Sequence, residues 1–254
     1  MVSRLTEITD GVWVATSRWY ATTSTVLLDG QGGALVIDPA FLPDELAAIP
    51  RDLAGLGVRC IGGLSTHEHY DHVLWHPDLG EHARWSSVGT AARLALDRDS
   101  VLAPLAEHLT PDLIDLAGRV QPLPDGTVPW SGPRVECIEH DAHAPAHLAV
   151  FLPDAGVLVA GDMLSDVELP MPADTETLEH YAAGLAALAP AVRAARWLIP
   201  GHGTVTADPR SRLEADLRYL DDLLAGRPTD DGRVREPENA ALHRENLRRA
   251  GRPD

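Results

Sequence analysis

The chain contains no lysine. All 21 of its basic residues are Arg, against 38 Asp and Glu, which leaves a formal charge of −17. That absence excludes a Schiff-base lysine, a lysine general base and a Walker-type phosphate loop, each of which needs an ammonium group. The acidic balance argues against a nucleic-acid partner, because phosphate contacts need a cationic footprint. Cysteine is scarce too: Cys60 and Cys137 are two thiols in 254 residues, with no neighbouring Cys to share a metal. A disulfide scaffold is therefore excluded. No apolar run approaches the length of a membrane span, and the N-terminal MVSRLTEITDGVWVATSR has none of signal-peptide length. A cytoplasmic protein without membrane contact is expected. A serine nucleophile also lacks its setting, since Gly63-Leu64-Ser65-Thr66-His67 has no second glycine after the serine.

What the chain does have is alternation of strand and helix patterns. Short β-branched or alternating runs predict strands over 12–15, 25–28, 34–37, 59–65, 134–139, 148–152, 157–160 and 196–199. Helical spacing covers 43–56, 90–117 with interruptions at Pro104 and Pro111, 175–189, 210–224 and 239–249. Residues 121–133 read as a Pro- and Gly-rich loop, and 226–238 as a charged linker. Strand–helix order repeated in two halves predicts two packed sheets with helices outside.

Histidine is abundant, at 12 residues, and it clusters at strand ends. Thr66-His67-Glu68-His69-Tyr70-Asp71-His72 follows an apolar strand and holds four good ligands, His67, His69, Asp71 and His72. Imidazole with carboxylate suits Zn²⁺ or another first-row ion rather than Mg²⁺ or Ca²⁺. A second segment, His140-Asp141-Ala142-His143-Ala144-Pro145-Ala146-His147, offers three His, and spacing does not choose among them. Asp162, in Ala160-Gly161-Asp162-Met163, and His202, in Pro200-Gly201-His202-Gly203, follow two further strands. Alone, either would read as a turn or cap residue; beside the first motif, they complete an N/O donor set large enough for two ions.

The sequence resembles the metallo-β-lactamase superfamily over roughly Val12 to Thr204. His67, His69, Asp71 and His72 match that family's H-x-H-x-D-H signature, Ala142-His143-Ala144-Pro145-Ala146 aligns with its G-H-T-P-G segment, and Asp162 and His202 match its bridging aspartate and last histidine. The resemblance implies an α/β fold, a four-layer αββα sandwich of two mixed β-sheets flanked by helices. It implies one such domain over 1–225, with 226–254 a charged linker and C-terminal helix packed on or extending from it. It further implies one ion on His67, His69 and His143, a second on Asp71, His72 and His202, and Asp162 between them. Alanine replaces Gly, Thr and Gly at 142, 144 and 146, so His147 stands as a rival to His143. The expected cofactors are two divalent ions, zinc first, with iron or manganese as alternatives.

Two such ions about 3.5–4 Å apart would hold a bridging hydroxide near neutral pH. Asp71 and Asp162, beside it, are the candidate catalytic proton carriers. Asp38, ending a strand in Val36-Ile37-Asp38-Pro39, stands where the family often orients its ligands from behind. Trp19 and Tyr20, in a loop between the first strands, and Tyr70, Trp75, His76 and His147 are the candidate substrate contacts. Nothing in the sequence places Arg84 or Arg93.

The expected function is hydrolysis of an ester, thioester or lactone of a small molecule, in a monomer or homodimer. The alternatives are a mono-iron, persulfide-dioxygenase-like oxidoreductase and a non-catalytic metal-binding protein. Lactonases of the family often carry a Tyr shortly after the bridging Asp, where this chain has Met163-Leu164-Ser165-Asp166. Its glutathione thioesterases hold an anionic substrate with basic residues, for which a lysine-free chain is poorly suited.

Overall fold

The computed structural model describes residues 4–173 and 176–251. Thr6–Thr9 (β1), Val12–Thr16 (β2), Thr23–Leu28 (β3) and Gly33–Ile37 (β4) form an antiparallel meander. Arg59–Leu64 (β5), Arg84–Ser86 (β6) and Gln121–Pro122 (β7) extend the same sheet in parallel. The second sheet runs in the order β11-β10-β9-β8, made of Glu136–His140 (β8), His147–Leu152 (β9), Val157–Val159 (β10) and Trp197–Ile199 (β11).

Alternation along the strands builds the layers. Leu27, Leu35 and Ile37 face the other sheet and pack with Leu148, Val150, Val157 and Ile199. Their neighbours Val26, Ala34 and Val36 face outward onto Ile49 and Leu53 of the helix Ala48–Gly55 (α2). Across the molecule, Ala149, Phe151 and Leu158 meet Leu185 and Leu188 of Leu178–Ala194 (α5) and Tyr219 and Leu220 of Pro209–Leu224 (α6). Two sheets face each other between helical layers, the αββα sandwich expected. A slip of one residue in β3 or β4 would exchange the two apolar faces, so register is tightly held.

Several elements differ from expectation. The helix read over 43–56 breaks after Leu46 into Pro43–Leu46 (α1) and α2. Pro50 has no N–H to bond back to the preceding turn. The stretch 90–117 resolves into Val88–Leu102 (α3), whose cap Ser87 accepts from Thr90 N–H at 3.0 Å, and Pro111–Leu116 (α4). β6 was not anticipated, and β7 lies inside the region read as loop. The helix expected from residue 175 has its first residue outside the described ones; α5 begins after Thr177, whose hydroxyl caps it. The tail folds as a short 3-10 turn over Gly232–Arg235 and the helix Ala240–Arg249 (α7).

Candidate metal centre and cleft

The loops after β4, β5 and β10, the turn before β9 and the loop after β11 meet at one edge of the sandwich. Backbone hydrogen bonds tie the two halves there: Leu148 N–H to Thr66 O at 2.7 Å, Thr23 N–H to Gly201 O at 2.7 Å and Gly203 N–H to Ala21 O at 3.0 Å. Two clusters of donor atoms result. His67, His69, His143 and Asp162 form one, and Asp71, His72 and His202 the other, with the ligand atoms of each within 4.8 Å of one another.

Four of the five rings are aimed from behind, while His69 Nδ1 faces His143 Nε2 at 3.0 Å. Asp38 accepts from Thr66 N–H at 2.8 Å, Thr66 Oγ1 at 2.7 Å and His72 Nδ1 at 3.0 Å. Thr66 has committed its proton to Asp38, so its oxygen faces Nδ1 of His67, 3.0 Å away, as acceptor. Met171 O accepts from His143 Nδ1 at 3.1 Å, and Tyr20 O from His202 Nδ1 at 3.0 Å. Because carbonyl and carboxylate oxygens only accept, these bonds place a proton on Nδ1 and turn Nε2 of His67, His72, His143 and His202 to the centre, where each could hold a metal once any proton there has left.

Those Nε2 atoms converge on Asp162. Its Oδ2 lies 3.4 Å from His67, 3.3 Å from His143 and 3.3 Å from His202, and its Oδ1 lies 3.0 Å from His72. Asp71 Oδ2 is 3.3 Å from His202 Nε2 and 3.5 Å from His72 Nε2. His72 and His202 present Nε2 to Nε2 at 3.3 Å. Two ring nitrogens this close need a proton or a metal ion between them. Tetrahedral ligands at about 2.0–2.1 Å from zinc lie about 3.3 Å apart, the spacing found here. His67 Nε2, fully buried, has no hydrogen-bond partner among the described residues, as a metal ligand would not. The donor set fits divalent ions.

The electrostatics agree. Burial and the neighbouring imidazoles hold His67 neutral, and burial with His143 pulls His69 down to about 4. On the other side burial opposes charge, yet Asp162 and its neighbouring acids outweigh it, raising His72 well above 6.5 and His202 to about 10. Burial would likewise lift the Asp162 carboxyl, but His202, His72 and His67 hold it well below the usual carboxylate range. In the metal-free protein, protons supply the positive charge that these carboxylates require.

Above the clusters lies a cleft of about 730 Å³. Tyr20 and Tyr70 line it as anticipated, together with Glu68, Arg93, Glu168 and Met171, which sequence reasoning had not assigned. Four of the anticipated contacts do not line it. Trp19 sits one layer behind, against Tyr20, Phe41 and His108. Trp75 is buried in the outer core, its Nε1 donating to Gly80 O, because the bare backbone of Gly63 admits its ring. His76 caps the turn Pro77–Leu79 by accepting from Asp78 N–H. His147 is fully buried under the site. Arg84 lies over the Trp75 ring and donates to Leu116 O, away from the cleft.

His147 is also outside both clusters, while His143 is within one. The alanines at 142 and 146 leave the loop intact because glycines stand opposite them: a Cβ on Gly184 would strike Ala142, and one on Gly89 would strike Ala146. Asp141 closes the turn by accepting from Ala146 N–H at 2.7 Å. No local signal could have revealed Glu168 or the carbonyls of Met171 and Tyr20, which the irregular backbone supplies.

Among the described residues no helix is long and apolar enough to cross a membrane. A model of the metallo-beta-lactamase superfamily matches residues 18–254. The chain is 26% identical over 166 residues to a probable metallo-hydrolase, YflN, of Bacillus subtilis, covering 59% of this chain and 62% of that protein. It is 32% identical over 122 residues to a hydroxyacylglutathione hydrolase of a Synechococcus species, covering 48% of this chain and 39% of that protein. Less than two thirds of either relative's length is thus spanned. Among solved structures, a beta-lactamase domain protein from Burkholderia ambifaria shares the fold, with a TM-score of 0.67 at 20% identity over 87% of this chain and 77% of that one.

Proposed function

Because the chain belongs to the metallo-β-lactamase superfamily, we propose that it is a metal-dependent hydrolase of a small-molecule ester, thioester or lactone. The observation that carries this reading is Asp162, whose carboxylate stands within 3.4 Å of Nε2 of His67, His72, His143 and His202. One carboxylate between two donor clusters is the arrangement that holds two divalent ions, zinc in the first instance. Bound there, such ions acidify water and polarise an acyl oxygen.

The remaining work falls to side chains. His67, His69, His143 and Asp162 would hold one ion, and Asp71, His72 and His202 the other. Asp71 or Asp162 accepts the proton of the attacking water and returns it to the departing alkoxide or thiolate. Tyr20, Tyr70 and Met171 offer apolar surface to an acyl portion and keep bulk water off the bond. Arg93 is the one arginine on the cleft's described lining, so a polyanion is a poor substrate. The similarity to a hydroxyacylglutathione hydrolase supports acyl-bond cleavage. Two free thiols, Cys60 and Cys137, agree with a cytoplasmic setting. The partners in this reading are a small-molecule substrate and a second copy of the chain, with neither nucleic acid nor membrane.

Elemental mass spectrometry of protein purified without added metal tests the reading, alongside an ester, thioester and lactone panel. Two zinc ions per chain, removal of activity by chelator and its return with zinc are expected. Asp162→Ala should lose at least one ion and most turnover. One iron per chain would move the case to oxygen chemistry. Two ions without turnover on any acyl substrate would overturn the hydrolase.

A further inference from the structure

After Asp162 the described residues up to 173 hold no helix or strand. Such backbone has no ladder or helix to satisfy its carbonyls, and buried carbonyls need partners. Four side chains from the C-terminal segment supply them. Arg233 Nη1 donates to Ser165 O at 2.9 Å and Glu168 O at 2.8 Å. Asn239 Nδ2 donates to Val167 O at 2.7 Å, and Asn246 Nδ2 to Pro170 O at 2.7 Å. Arg249 Nη1 donates to Ala173 O at 2.8 Å and Glu176 O at 2.7 Å.

The grip is anchored in turn. Asp231 takes the Arg233 guanidinium at 2.7 Å, and Asp216 of α6 at 2.8 Å, with Arg233 and Asp216 both buried. Asn246 is fully buried and also donates to Tyr219 Oη of α6 at 3.2 Å. The gripped stretch is a wall of the cleft: Glu168, Met171, Pro172 and Ala173 line it. Its Met171 carbonyl, moreover, is the acceptor that orients His143.

We propose that segment 232–249 is a positioning element of the cleft, in which Arg233, Asn239, Asn246 and Arg249 fix where wall 168–173 stands and thereby which acyl groups are accepted. This rests on the hydrolase reading for its consequence, though not for its geometry. A loosened wall widens the acyl side of the cleft. Substrates that reach the wall lose affinity, whereas a minimal acyl group does not feel it. These are positioning residues; none touches the reacting atoms.

The test compares Asn246→Ala and, at the more accessible outer end, Arg249→Ala with the parent, each as the full chain loaded with metal. Hydrogen–deuterium exchange over 163–173 is measured first, because it needs no substrate. Faster exchange there, with strand amides of β9 and β10 unchanged, is expected. KM for a long-acyl ester should rise about tenfold, the scale of one lost hydrogen bond to a buried carbonyl, with kcat on an acetyl ester held within about twofold. Unchanged exchange in both variants overturns the proposal, as does a fall in thermal stability that affects long and short esters equally. If the parent cleaves no acyl substrate, the hydrolase reading fails on its own, and exchange over 163–173 still decides the clamp.

Discussion

Nε2 of His147 accepts the backbone N–H of Asp162 at 3.2 Å, with the imidazole fully buried between the rings of His67 and His140. The nitrogen that would bind a metal is therefore spent on holding the residue that joins the two clusters. Burial, together with the neighbouring His67 and His140, keeps this ring neutral, as an acceptor must be.

Replacing His147 by Ala removes that acceptor and a fully buried ring, so the metal-free protein should lose about 2–4 kcal/mol in urea unfolding. His143→Ala, at the cleft face, should cost less stability and instead lower the metal content. Measuring both quantities in both variants separates the roles. Full metal retention in His143→Ala with loss in His147→Ala would reverse the assignment.

Asp38 acts on the centre without facing it. Its two oxygens take three donors, two from Thr66 and one from His72. Asn in its place would turn an amide N–H₂ toward one of those donors. Asp38→Asn should weaken metal binding about 10–100-fold, the range for loss of a partner behind a ligand. Chelator competition measures this, and affinity within twofold or so of the parent would show that Asp38 is merely a turn carboxylate.

Gly201 permits the approach of the β11 loop to the Asp162 carboxylate. A Cβ there would run into Asp162 Oδ1 and crowd the backbone of Gly161. Since neither the carboxylate nor the backbone can retreat without leaving the ligand cluster, Gly201→Ala should fold yet bind fewer ions. A spectrum of the cobalt-substituted protein reads the ligand field directly. Identical cobalt bands in variant and parent would mean that Asp162 has room to move.

Much of this centre was legible because it is local. His67, His69, Asp71 and His72 fall in one short turn after an apolar strand, and Asp162 and His202 each follow a strand in the same way. Ligand chemistry and strand ends are both visible residue by residue. The glycines Gly184 of α5 and Gly89 of α3 that make room for Ala142 and Ala146 belong to remote segments, so nothing near 142–146 could announce them. Aromatics after the motif carried an ambiguous signal: Tyr70 lines the cleft, while Trp75, five residues on, fills the space over Gly63. The strands β6 and β7, of three and two residues, are too short for any period to show. The wall 168–173 owes its place to side chains some seventy positions away, a pairing only the folded chain displays.

Glu45 gives a stability prediction with a definite pH window. Its side chain is buried, which works against ionisation, but Ser17 Oγ, Arg18 N–H and Leu42 N–H all donate to it and Arg18 adds attraction, so its pKa falls below the ordinary 4.5. Arg4 Nη1 joins at 2.8 Å, tying the segment before β1 to α1. A carboxyl whose pKa is depressed on folding stabilises the fold above its unfolded pKa, and that contribution disappears as pH falls through the depressed value. Glu45→Gln should therefore cost about 1–3 kcal/mol at pH 7, the scale of hydrogen bonds to a charged group. The difference between variant and parent should shrink steadily below about pH 4.5 as the native carboxylate takes up its proton. Urea midpoints recorded from pH 7 to 3.5 test this. A gap that stays constant across that range would assign the loss to shape and hydrogen bonding alone, with no share for the charge.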